Sequence, residues 1–222
     1  YKVNIYTYHA FCNDVIQAHS YAFPKAEMET ISELEQIELM QQVIDRFDST
    51  NPLKRYRGDV YYEINNLLHL TSTIKKEGWT KDFLFSCIDS YVESLANRPE
   101  YVYKRKTKTA NVGDLKMDQI KAETAKMNKL KAAIEAIEQY QQLMLARNRY
   151  DFDDMINWVL NVFRNNTEVL QTYQEQYLYV LVDEYQDTSG TQNSLVQLLI
   201  DYWESPNVFV VGDDDQSIYR FQ

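Results

Sequence analysis

Apolar residues recur at two different periods along the 222-residue chain, and the switch between them divides it into three regions. From Tyr1 to about Phe23 the pattern gives a short strand, Lys2 to Tyr6, then a helix from about His9 that Pro24 ends. Over Lys25 to Asn148 the apolar positions fall at helical spacing and no convincing strand appears. The helices predicted there are Glu29 to Phe47, Asp59 to Lys76, Thr80 to Ala96 and Leu115 to Arg147. From Tyr150 the chain alternates. Asp151 caps a helix to Phe163, Thr167 caps a shorter one, and Leu178–Val182 is a buried strand. A helix then runs from Gly190 to Trp203, and Val208–Val211 forms a second buried strand. Strand, helix, strand in that order fits a parallel sheet with a helical crossover. The fold class is therefore α/β, a parallel sheet interrupted by a mostly α-helical insertion. The expected boundaries are 1–24 and 149–222 for the sheet-bearing core and 25–148 for the insertion.

Composition narrows this picture only slightly. Five glycines and four prolines disfavour a turn-rich all-β fold. The net charge of −10 argues against coating nucleic acid with the whole surface, but the charge is uneven, and Arg98 to Lys131 alone carries +6. Cys12 and Cys87 provide neither a disulfide framework nor metal-ligand spacing, so a reducing, cytoplasmic setting is the default. No signal peptide or bilayer-length apolar run is found. The chain opens without Met inside an apparent strand, and the expectation is a piece of a larger protein.

The candidate chemistry sits at the two strand ends. YLYVLVDEYQDT, Tyr177 to Thr188, runs an apolar stretch into Asp183 and Glu184. An acid at a strand tip can hold Mg²⁺, which prefers oxygen ligands, and the next acid can act as general base on an attacking water. A bare Asp-Glu pair is more often a solvated turn. The apolar run before it and Gln186-Asp187-Thr188 after it favour the catalytic reading. The second strand ends at Gly212, which permits a sharp turn, followed by Asp213, Asp214, Asp215 and Gln216. A neutral amide such as Gln216 can sense a terminal phosphate. Just beyond, Tyr219, Arg220 and Phe221 form an aromatic–basic–aromatic platform on which unpaired bases can stack.

Together, VLVDEYQDT and VVGDDDQSIYRF resemble motifs II and III of the UvrD/Rep/PcrA group of superfamily 1 DNA helicases. YDFDDMI, Tyr150 to Ile156, resembles the motif preceding motif II, and Thr7-Tyr8-His9-Ala10-Phe11 resembles the T-F-H segment of motif Ib. The resemblance implies a partial P-loop NTPase, RecA-like core with a helical 1B insertion, using ATP and Mg²⁺. Asp183 would hold the metal, Glu184 would be the catalytic base, Gln186 would link the site to its neighbours and Gln216 would sense the γ-phosphate. Tyr219, Arg220 and Phe221 would grip single-stranded DNA, with Thr7 and His9 on its phosphates. Movement would be 3′ to 5′. Departures are Gln222, where many members have Arg, and Phe221, where some have Trp.

The phosphate loop G-x-x-x-x-G-K-[ST] is absent from these residues, so the chain alone is expected to be inert. Lys104, Arg105, Lys106 and Lys108, beside Tyr101 and Tyr103, read as a basic loop able to meet DNA phosphates near a duplex junction. Two alternatives stay open: the helicase part of a nuclease–helicase, and a non-catalytic DNA-binding or docking module.

Overall fold

The computed structural model describes residues 3–23, 28–106, 110–213 and 215. In chain order its elements are α1 (Tyr8–Ala18), β1 (Glu29–Thr30), α2 (Glu33–Asp45), α3 (Ile64–Glu77), α4 (Lys81–Ser94) and α5 (Met117–Ala146). They continue with β2 (Arg149–Tyr150), α6 (Phe152–Asn165), α7 (Thr167–Gln176), β3 (Val180–Val182), α8 (Gly190–Ile200) and β4 (Val208–Val210). The chain is thus mostly helical, with short parallel strands. It divides into two compact units, the first Tyr1–Ile31, Ser72–Gly78 and Leu145–Gln222, the second Ser32–Thr71 and Trp79–Met144. Ser72–Gly78, the end of α3 and the turn after it, lies in the sequence span 25–148 but groups with the first unit.

In the first unit α1, α6, α7 and α8 enclose one apolar core. Met155, Ile156, Val159, Leu160 and Phe163 lie on one stripe of α6 because they recur at threes and fours, and they pack with Phe11, Val15, Ile16, Tyr173 and Leu195. Each such side chain, fully buried, contributes about 1.5–3 kcal/mol. The start of α6 is fixed by a capping box, Asp151 Oδ1 accepting from Asp154 N–H and Asp154 Oδ2 accepting from Asp151 N–H. Ser189 and Gln192 make the same reciprocal cap on α8.

The end of α3 is tied down by polar groups of the same unit. Lys75 Nζ lies 2.7 Å from both Asp151 and Asp154, and its side chain is only 6% exposed. Ser72 donates to Asp153, Asn157 donates to the Lys75 carbonyl, and Thr191 donates to the Lys76 carbonyl. Asp153 and Asp154, acids of the YDFDDMI motif, are therefore engaged in capping and anchoring.

The second unit holds α2, α4, most of α3 and most of α5. Ser32 and Glu35 cap α2 reciprocally, and Thr80 caps α4. Leu39, Met40, Val43, Leu95 and Tyr140 are its most deeply buried side chains. Among the described residues no helix is long and apolar enough to cross a membrane.

Several expectations need correction. Val3 to Tyr6 forms no strand; its Ile5 is 90% exposed, and an extended segment becomes a strand only where a neighbour accepts its hydrogen bonds. Asn166, not Thr167, caps α7, its side-chain Oδ1 accepting from Val169 N–H. Strands β3 and β4 are parallel, Val180 pairing with Val208 and Val182 with Val210, but they are three residues each and not buried. Only Val182 is buried in them; Leu181 and Phe209, partners in register, are 74% and 64% exposed. A short parallel pair, β1 with β2, joins Thr30 to Tyr150 where no strand was expected, because two residues carry no period to read. The helix ended by Pro24 closes earlier, at Ala18; Pro24 itself lies outside the described residues.

Candidate active site

Strand β3 delivers Asp183 and Glu184 at its C-terminal end. Buried Val182 is the last anchored residue, its carbonyl accepting from Val211 N–H at 2.8 Å. Glu184 then adopts left-handed backbone geometry, φ 50° and ψ 43°. A side-chain-bearing residue there costs about 1–2 kcal/mol. The cost is met by a dense local network. Asp183 Oδ1 accepts Glu184 N–H at 3.0 Å, and Tyr185 N–H donates to the Val211 carbonyl at 2.9 Å. Residues Tyr185–Asp187 close a single 3₁₀ turn, and Thr188 donates to the Tyr185 carbonyl.

Gln186 joins the two strand ends. Its amide nitrogen donates to Glu184 Oε2 at 2.6 Å, and its carbonyl oxygen accepts the Asp213 N–H at 3.1 Å. One side chain therefore reads both the acid on β3 and the backbone following β4. Gly212 makes this possible by what it lacks. A Cβ there would stand 2.6 Å from Gln186 Oε1 and 3.2 Å from the Gln186 nitrogen. Its backbone is outside the left-handed region, so close approach, rather than the sharp turn expected, explains the glycine.

Asp183 and Glu184 are exposed, and among the described residues neither has an ion-pair partner. Each carboxylate spends one oxygen on a local hydrogen bond. This donor set fits Mg²⁺, which takes one or two carboxylates and fills its octahedron with water and phosphate oxygens. Among the described residues no group of three or more acids, His or Cys is placed to hold a metal.

Thr7 and His9 lie on the first turn of α1 and its cap. Thr7 Oγ1 accepts Ala10 N–H at 3.2 Å. The His9 ring is set edge-on to Phe152, centroids 6.1 Å apart, and its Nε2 is buried without a hydrogen-bond partner among the described residues. The neighbouring Tyr8 hydroxyl is likewise buried, with no partner among the described residues; burial, and after it the Tyr185 phenol, raises its pKa. Cys12 one turn on is buried, which pushes its thiol up to about 12 and leaves it unreactive.

In the second unit, Lys104, Arg105 and Lys106 are exposed beyond the stem of a hairpin. The stem is held by Tyr103 with Asp114 and Gly113, by Lys116 N–H to the Tyr101 carbonyl, and by a Val102–Leu115 bridge. Lys108, Gln216, Tyr219, Arg220, Phe221 and Gln222 lie outside the described residues.

The family model of the UvrD/REP helicase N-terminal domain matches residues 1–222, and the chain belongs to that family. It is 27% identical to a probable DNA helicase of Mycoplasma pneumoniae, over 99% of this chain and 34% of that protein. A probable DNA helicase II homolog of Mycoplasma genitalium is 28% identical over the whole chain and 26% of its own length. The ATP-dependent DNA helicase PcrA of Staphylococcus aureus is 46% identical over 83 residues, 37% of this chain and 11% of that protein. The chain thus spans about a third or less of the length of these relatives.

Proposed function

We propose that this chain is part of an ATP-dependent DNA helicase that couples Mg-ATP hydrolysis to 3′-to-5′ movement on single-stranded DNA. In this reading the first unit is part of the RecA-like motor domain and the second is its helical 1B insertion. The observation that carries it is the Gln186 bridge, which connects the exposed Asp183–Glu184 pair to the turn leading toward Gln216.

Asp183 would hold Mg²⁺, and the cation, when bound, would supply charge neutralisation for the phosphates. Glu184 accepts the proton of the attacking water. Its carboxylate is kept in place by the Gln186 amide, while its other oxygen, without a partner among the described residues, takes that proton. Gln216 senses the terminal phosphate, and because Gln186 holds the backbone three residues before it, a change at the acids is felt by the segment Gln216 to Phe221. Tyr219 and Phe221 stack on bases beside Arg220, Thr7 and His9 contact phosphates, and Lys104, Arg105, Lys106 and Lys108 meet the DNA near a junction.

Because the phosphate loop is not among these residues, hydrolysis belongs to the longer protein. The isolated chain should show no DNA-stimulated ATP turnover. In a longer protein that carries the loop, Glu184→Gln should lower turnover by about 10²–10⁴ while ATP binding persists, the usual contribution of a general base. Undiminished turnover in that variant would overturn the assignment.

A further inference from the structure

One surface of the second unit is used by nothing above. Between α2 and α3 the sequence Lys54-Arg55-Tyr56-Arg57-Gly58-Asp59-Val60-Tyr61-Tyr62 places three cations in four residues among three tyrosines, in a chain whose net charge is −10. The rings are open to solvent: Tyr56 is 68% exposed and Tyr62 56%. Arg55 lies over the Tyr62 ring at 4.0 Å, and Lys54 lies 6.0 Å from the Tyr56 ring.

The segment is held in shape rather than hanging free. Asp48 accepts from both the backbone and the hydroxyl of Thr50 at 2.7 Å, and Asn51 accepts Leu53 N–H. Leu53 is buried, and Lys54 Nζ donates to the Phe47 carbonyl. Gly58 turns the chain with φ +78°, a conformation that favours glycine. Arg55 is oriented by Glu63, 3.3 Å away. Glu63 is buried, which acts to raise its pKa. Hydrogen bonds from Lys129 and Asn66, with the charges of Lys129 and Arg55, outweigh that and keep it ionised. The one carboxylate within the segment, Asp59, has an oxygen taken by Tyr61 N–H. Arg57 stays exposed.

We propose that Lys54 to Tyr62 is a second single-stranded DNA contact, with Tyr56 and Tyr62 stacking on successive bases and Arg55 and Arg57 meeting the phosphates between them. Exposed rings interleaved with cations are the chemistry of sequence-tolerant single-strand binding, and an Arg already held over the Tyr62 ring keeps its charge beside that ring at little entropic cost. An acidic protein can take up a polyanion only where cations are concentrated, and this segment concentrates them.

The proposal borrows only its ligand class, DNA, from the helicase reading, and its test needs no ATP. Binding of a fluorescent oligothymidylate to the full 222-residue chain is measured by anisotropy over a range of salt. Tyr56→Ala and Tyr62→Ala should each weaken binding by about five- to one-hundred-fold, the effect of losing one stacked base. Tyr56→Phe and Tyr62→Phe, which keep the ring, should bind like the parent. Arg57→Ala should flatten the log–log salt slope by about 0.7. Because Tyr56 and Arg57 are exposed, these variants should keep the parent melting curve, so a loss of binding in them reports contact and not unfolding. Unchanged binding by both Tyr→Ala variants overturns the proposal, as does equal loss in the Phe variants or no binding by the parent chain. Glu184-dependent ATP turnover in the longer protein is a separate measurement, so either reading can fall without the other.

Discussion

Two acid pairs in the first unit occupy opposite physical situations. Asp151 and Asp154, at the start of α6, cap each other and enclose Lys75 Nζ at 2.7 Å from each carboxylate. Asp183 and Glu184, at the end of β3, are exposed, carry no cation among the described residues, and include a left-handed backbone that costs stability. The first pair is complete without a ligand. The second combines a left-handed backbone with two exposed carboxylates that have no cation beside them among the described residues, the kind of local strain that clusters at functional sites. Their sequences, DFDD and VDEYQD, look equally acidic; burial and partners set them apart.

The largest expected effect falls on the complete pair. Lys75→Met leaves two carboxylates partly buried and unpaired, and should destabilise the chain by about 3–5 kcal/mol in urea titration. A loss below about 1 kcal/mol would show that the cluster is not an anchor. Its pH dependence has a defined sign. Burial disfavours the Lys75 charge, but Asp151 and Asp154 more than compensate, so its pKa is raised. Its contribution is therefore intact below the ordinary lysine value, about 10.4, and is lost as pH climbs through the higher folded value. The stability gap between parent and Lys75→Met should hold from neutral pH to that point and then narrow. A gap that widened with alkali would refute the pairing.

Next comes the bridge. Gly212→Ala drives a methyl into the Gln186 amide and should break its bond to Asp213, costing about 0.5–1.5 kcal/mol in the chain. In the longer protein it should also slow turnover. Loss of stability with full turnover would separate Gln186 from catalysis. The smallest effect has the opposite sign. Glu184→Gly relieves the left-handed backbone and should raise stability by up to about 1 kcal/mol in chemical denaturation while abolishing hydrolysis. A destabilised variant would mean that Glu184 is kept for folding.

The helices of this protein are legible in its sequence because each buries one stripe, and the stripe recurs at the helical period. α2, α4 and α5 fall inside their expected spans, α3 ends one residue past its own, and Asp151 stands where the cap was expected. Strands were harder. β1 and β2 are two residues each, and their pairing across the intervening helices follows from packing that no local period records. At the candidate site the acids and Gln186 stand out as a motif. Gly212 is less legible, because a glycine needed for close approach looks the same in sequence as one needed for a turn. The tyrosine and arginine run at Lys54 to Tyr62 is as visible in the sequence as the longer basic loop, with three cations in four residues.

The sequence by itself determined what is periodic or local: the helices, their reciprocal caps, and the acidic motif that follows an apolar run. These are settled within a few residues by backbone geometry and the burial of one face. Only the tertiary structure decided which acids would be neutralised. A carboxylate's environment depends on side chains far away in sequence, and Lys75 lies 76 residues from Asp151. Folding brings that lysine to one pair and leaves the other open to solvent.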